Sequence, residues 1–209
     1  MKHILLILAI SFTLGCKAQN IYPIYEGPED PPNNPYYKDV DNDFNPFIGE
    51  WKWEEGNNSL ILQFQKVEMY HKQYPNYNNS ETIHEYFDYL IGEYKYIENS
   101  NVLVNTLPVN FSGNPTTTNA ISGWNITTVD RGFPPCDECT PNTRFIFLSF
   151  GELENPQLQG MIRMAHFIEN GVEKIRARIT NTYISNLTAD YTGPDAIKVP
   201  EGIYTFIKQ

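Results

Sequence analysis

The sequence predicts an all-β domain over residues 46–209, an antiparallel barrel of about eight to ten strands. Three observations predict it. Apolar runs past Pro46 are short and rich in aromatic and β-branched residues. Turn-forming residues separate them, drawn from abundant asparagine, 13 glycines and 15 prolines. Helical periodicity is nowhere sustained. At 209 residues, the chain is long enough to bury a core without staples.

The elements follow in order. Phe47–Trp53 reads as a first strand, with Gly56, Asn57 and Asn58 as its turn. Leu60–Tyr70 is a second strand and Tyr74–Ser80 a polar loop. Ile83–Ile97 follows, open to a break at Gly92, then the turn Glu98–Asn101 and a short strand Val102–Leu107. Residues 110–119 read as loop. The remaining strands are Ile121–Val129, Arg144–Phe150, Gly160–Ile168, Val172–Tyr183 and Ile203–Lys208.

The sharpest local signal is Asn170-Gly171, the dipeptide that favours a two-residue hairpin turn. A turn there sets the register. Ile162 faces Ile179, Met164 faces Ala177 and His166 faces Ile175, which makes one apolar face with a hydrogen-bonded core imidazole. On the other face Arg163 meets Arg178, Ala165 meets Arg176 and Phe167 meets Lys174. The basic patch Arg163, Lys174, Arg176 and Arg178 thus shares one sheet surface. It reads either as a docking patch for an acidic group or as a solvated face paired with acidic loops of the same chain.

Upstream, residues 1–18 form an export signal: Lys2 and His3, an apolar run Ile4–Leu14, then small residues. Two processing readings stand. Thr13-Leu14-Gly15-Cys16 resembles a lipobox, which makes Cys16 the lipid-attachment site and the membrane anchor; alternatively cleavage precedes Gln19. The expected location is the bacterial cell envelope, lipid-anchored in the first case and soluble periplasmic or secreted in the second. Residues 19–45 read as a Pro-rich acidic tether. They carry Pro23, Pro28, Pro31, Pro32 and Pro35 and six acids against one base, Lys38, a composition that predicts an extended spacer.

The net charge of −10 argues against nucleic acid as a partner. Cys136-Asp137-Glu138-Cys139 reads as a loop disulfide, because an exported chain oxidises its thiols and proline-flanked cysteines start no helix for redox chemistry. Asp39, Asp41 and Asp43 have the spacing of a calcium loop, but Phe44 stands where such a loop needs glycine, so they read as a solvated acidic linker. The histidines lack ligand spacing, and no nucleophile, zinc or phosphate motif occurs. No metal or cofactor is expected, and the chain reads as a non-enzyme.

Phe47-Ile48-Gly49-Glu50-Trp51 resembles the Gly-x-Trp motif that opens lipocalin-type barrels. The resemblance implies a calycin/lipocalin-like fold, with Gly49 passing close beneath the barrel and Trp51 plugging its closed end. The late cation that stacks on that tryptophan would be Lys208 or an earlier arginine. Over nearly its whole length the chain is similar to a family of small exported proteins of unknown function from Bacteroidota. The carrying residues are Cys16-Lys17-Ala18-Gln19, Tyr37–Phe44, Phe47–Trp51, Leu90–Tyr96 and Val199–Ile203. That resemblance implies an exported or lipid-anchored β domain and brings no activity.

Two functions are expected from these features. One is a binding module that holds a small apolar or amphipathic ligand in the barrel, with Tyr86, Phe87, Tyr89, Tyr94 and Tyr96 lining or plugging it. The other is an inhibitor or immunity-type protein that binds a cationic envelope enzyme, since acidic surfaces speed encounter with basic partners. Long loops around residues 71–80, 110–120 and 184–199 would make that contact.

Overall fold

The computed structural model describes residues 19–28, 31, 34–110, 113–128, 134–182 and 193–209. The export signal and Cys16 lie outside the described residues. The described residues form eleven strands: β1 (Ile21–Pro23), β2 (Tyr36–Lys38), β3 (Gly49–Glu55), β4 (Asn58–Pro75), β5 (Thr82–Glu98), β6 (Asn101–Asn105), β7 (Ile121–Thr127), β8 (Phe145–Glu152), β9 (Asn155–Glu169), β10 (Val172–Thr182) and β11 (Gly202–Lys208). The only helical pieces among the described residues are a 3₁₀ turn at Asn45–Phe47 and one α turn at Pro115–Thr118. The fold is therefore all-β.

Eight strands form a closed ring in the order β5-β4-β3-β11-β10-β9-β8-β7, with β7 returning to β5 through Leu90↔Gly123, Ile91↔Ser122 and Gly92↔Ile121. Every pairing within the ring is antiparallel. The β9–β10 hairpin has the register set by Asn170-Gly171: Ile162↔Ile179, Met164↔Ala177, Arg163↔Arg178 and Phe167↔Lys174. Asn170 and Gly171 both have positive φ, at 52° and 78°. Asn42, Asn79 and Asn99 hold left-handed turn positions elsewhere.

Side chains alternate across this sheet, so one set points inward. Leu60, Leu62 and Phe64 of β4, Tyr94 of β5, Phe150 of β8 and Phe206 of β11 belong to a single buried cluster that fills the ring. One end is closed by Phe44, Phe47 and Trp51, each at most 1% exposed. At the other end Ile197 and Val199 come off the chain before β11 and join the same cluster.

A second cluster sits on the outer face of β5. Val67, Phe87, Tyr89 and Ile91 pack there with Tyr37, Tyr70, Val109 and Trp124. It explains why β4 and β5 run further than Leu60–Tyr70 and Ile83–Ile97. Both strands carry apolar residues past the ring, and β5 is unbroken at Gly92. Residues 71–75, expected in a loop, are therefore strand.

The described residues of the segment read as a spacer pack against the ring. β1 and β2 pair in parallel with each other, and β2 pairs in parallel with β5. Tyr36 and Ile24 are buried, and Phe44 is wholly enclosed. Composition concealed this, because proline and acid content says nothing of three apolar anchors, two of them aromatic. Asp39, expected in a solvated linker, is 2% exposed. Its carboxylate accepts hydrogen bonds from the Asp43 and Phe44 amides and pairs with Lys66 Nζ at 3.0 Å. Asp88, also buried, accepts from Tyr36 Oη (2.6 Å), the Asp39 amide (3.0 Å) and the Met69 amide (2.9 Å), with Lys66 Nζ 3.8 Å away. Two buried carboxylates sharing one ammonium are tolerable only because backbone and hydroxyl donors occupy the remaining lone pairs. The cluster clamps β2 onto the β4 bulge, where Met69 has a φ of 54°.

Two expected outcomes follow from this packing. Asp88→Ala strands two buried donors and the part-buried Met69 amide, and leaves Lys66 one carboxylate fewer; it should cost about 3–5 kcal/mol in urea unfolding. Amide exchange at Tyr36–Lys38 should then rise far more than at Leu60–Phe64. In Gly92→Ala, the new Cβ would lie 2.6 Å from Phe64 Cδ1. That overpacking should cost about 1–3 kcal/mol, and adding Phe64→Leu should recover part of it.

Candidate functional site

The closed end of the ring assembles the Gly-x-Trp residues. Gly49 has a φ of 115°, a conformation that favours glycine. It swings the chain from the 3₁₀ turn into β3, so that Trp51 points inward with no exposure. The indole Nε1 donates to the Phe47 carbonyl at 2.7 Å. Lys208 Nζ lies 5.4 Å from the Trp51 ring centroid, so the late cation is the penultimate residue. Lys208 also pairs with Glu173 at 2.7 Å, and Glu173 lies 3.3 Å from His166 Nε2. His166 meets both Phe47 and Trp51 edge to face. These groups are packed and mutually satisfied, so this end is a structural plug.

The four cations of the basic patch lie together on the outer face of β9 and β10. Arg176 reaches Glu138 at 3.3 Å, and Lys174 pairs with Glu169. The Arg163 guanidinium lies 3.5 Å from the centroid of the Phe147 ring. Arg163 and Arg178 line a depression of about 240 Å³ with Phe147, Met161 and Thr180. Cys136 and Cys139 are joined in a disulfide, and the loop it closes carries Glu138 to Arg176. Carboxylates of the chain itself thus meet Lys174 and Arg176. Among the described residues no group of three or more His, Cys, Asp or Glu is placed to hold a metal ion.

The opposite end of the ring is different. Along β3 the inward stripe runs Trp51, Trp53, Glu55; along β5 it runs Tyr94, Tyr96, Glu98. On β4 the stripe begins at Asn58, and on β11 it begins at Gly202 and Tyr204. Where these stripes reach the rim, a concavity of about 290 Å³ remains. Trp53, Tyr96 and Tyr204 form its floor, with Trp53 and Tyr204 edge to face at 4.9 Å. Glu55, Glu98 and Asn58 form its rim. Pro200 closes one side and is pinned by the Tyr204 hydroxyl, which donates to its carbonyl at 2.6 Å.

Charge at this mouth is uncompensated. Among the described residues no lysine or arginine pairs with Glu55 or Glu98; the one hydrogen bond to Glu98 is from Tyr96 Oη, at 3.3 Å. Burial pushes the Tyr204 phenol up to about 12, with the neighbouring Tyr96 and Glu55 adding to the shift. Tyr96 is raised as well, first by burial and then by Glu98. An aromatic floor under two unpaired carboxylates is chemically suited to an amphipathic cation.

A family model described as a family of unknown function, DUF6705, matches residues 1–209. The chain belongs to DUF6705. No curated protein and no solved structure matches it. For this DUF6705 chain, sequence reasoning named the plug, the patch and the disulfide. Of the mouth it named only Tyr96, and it missed the Asp39–Lys66–Asp88 cluster. The period-two stripe Trp51, Trp53, Glu55 was the available signal for the mouth; a carboxylate at an inward position of a strand marks a rim.

Burial is the main influence on His166 and holds its imidazole below the ordinary value, with Glu173 opposing. The unfolded chain therefore takes up a proton at higher pH than the folded one. Stability supplied by the neutral ring is present above about pH 6.5 and is lost as pH falls through the lower folded value. Melting temperature should drop between pH 7 and 5, and His166→Gln should flatten that slope.

Proposed function

We propose that this protein is a binding module, a calycin-like barrel whose recognition site is the acidic, aromatic-floored mouth and whose ligand is a positively charged partner. The observation that carries the reading is the placement of Glu55 and Glu98, unpaired by any described cation, over Trp53, Tyr96 and Tyr204. Support for a calycin-like fold comes from the eight-strand ring, Gly49, the buried Trp51 and Lys208 over its indole.

The ring interior is occupied by side chains from Trp51 to Val199. This favours a ligand at the mouth over one deep in the ring, and an amphipathic cation over a neutral apolar molecule. The net charge of −10 adds long-range attraction for a basic partner. In this reading the export signal and an acylated Cys16 hold the module at the cell envelope, where it blocks or captures a cationic protein.

A blocked peptide of alternating lysine and arginine, acetyl-Lys-Arg-Lys-Arg-amide, tests the proposal by NMR titration. The Trp53 indole resonance should shift and saturate, while the plugged Trp51 stays still. Affinity should fall several-fold between 0.02 and 0.3 M salt, because screening acts over about 10 Å at 0.1 M. Salt-independent binding, or no shift at Trp53, would overturn it.

A further inference from the structure

Resting on that reading of the mouth, we infer that its ligand is the side chain of an arginine presented by a protein partner, with the planar guanidinium bridging Glu55 and Glu98 above the Trp53–Tyr204 floor. Three features of the cleft select arginine over lysine or a free amine.

The first is the spacing of the acids in the topology. Glu55 ends β3 and Glu98 ends β5, with β4 between them, so the two carboxylates approach the concavity from two different strands. An ammonium can be shared by two carboxylates, as Lys66 is by Asp39 and Asp88, but it is a point charge with no fixed plane and needs the acids close together. A guanidinium offers five donors in a planar fork and engages two acceptors at once.

The second is the floor. Trp53 is half-buried and stands edge to face with Tyr204 at an interplanar angle of 86°; Tyr96 and Tyr204 are buried beneath, so Trp53 is the accessible ring of the floor. Planar, weakly hydrated cations stack on such rings and lose little hydration in doing so, whereas an ammonium must be stripped of tightly held water.

The third is the setting. Ile203, 48% exposed, flanks the concavity, and Pro200 walls it. Together they give an apolar shoulder against which the residues beside an inserted side chain can lie. A free amino acid cannot use that shoulder; a peptide can. Asn58 adds an amide at the rim for the partner's backbone. The arrangement has the composition of a pocket for a buried arginine anchor, the residue type enriched where binding energy concentrates.

The experiment compares three probes on the full chain at low salt: acetyl-Gly-Arg-Gly-amide, acetyl-Gly-Lys-Gly-amide and free arginine. Binding is read from the Trp53 indole resonance. The arginine peptide should bind about tenfold more tightly than the lysine peptide, and more tightly than free arginine. Glu55→Gln and Glu98→Gln should each weaken the arginine peptide, and the double variant should erase its advantage over lysine. Glu81→Gln, on the distant β4–β5 turn, should change nothing. Unchanged amide spectra away from the mouth establish that each variant is folded. If the lysine peptide binds as well as the arginine peptide, the arginine inference fails while the cationic reading of the mouth stands. If free arginine matches the peptide, the protein-borne source fails. If the alternating peptide and both tripeptides leave Trp53 unmoved, the inference and the reading beneath it fall together.

Discussion

The structure depends on the way β5 divides its second edge. One edge of β5 is paired with β4 along nearly its whole length. The other is shared in succession by β2 at Tyr86 and Phe87, by β7 at Leu90–Gly92, and by β6 from Lys95 to Glu98. The middle share closes the ring, and it is only three residue pairs long. Glycine occupies two of those six positions, Gly92 and Gly123, and each stands where a Cβ would strike its neighbours: Phe64 in the first case, Leu148 and the Phe147 carbonyl in the second. Closure is therefore a steric condition as well as a hydrogen-bonding one. It removes the open edges that a sheet of this size would otherwise expose, and it turns the alternation of every strand into an inside and an outside.

That alternation decides what was legible beforehand. Wherever a local rule fixes a register, the sequence was sufficient. Asn170-Gly171 set the pairing of Arg163 with Arg178 without reference to any other element. Gly49 and Trp51 stand two residues apart and specify a chain entry. Features built from distant residues were illegible for the same physical reason. Lys66 is 27 residues from Asp39, and Asp88 is 49 residues from it. Each looks solvated alone, and only the fold brings their charges together. Proline content made residues 19–45 look like a spacer, yet Ile24, Tyr36 and Phe44 are buried and β1 and β2 extend the sheet through β5.

The two ends of the ring show how the same geometry serves opposite purposes. At the closed end the inward stripes finish in Phe47 and Trp51, and the nearest charges, Lys208 and Glu173, pair with one another beside the His166 imidazole. At the mouth the stripes of β3 and β5 finish in carboxylates with no described counter-ion. A strand cannot place a charge deep inside a packed ring without a partner. It can place one at the last inward position, where water still reaches it. Charge of that kind adds little to folding, so its presence over an aromatic floor calls for a reason other than stability.

Net charge and local geometry answer different parts of that question. A protein at −10 draws any basic molecule toward it, and the attraction carries no orientation. Several of its cations are already engaged: Lys174 by Glu169, Arg176 by Glu138, Arg144 by Asp41 and Asp43. Glu55 and Glu98 at the mouth are not among the carboxylates these cations engage. There the carboxylates face a floor of ring electrons rather than a lysine of their own chain. Diffuse attraction would bring a partner near; a concave pair of acids on two strands would decide which of its side chains enters.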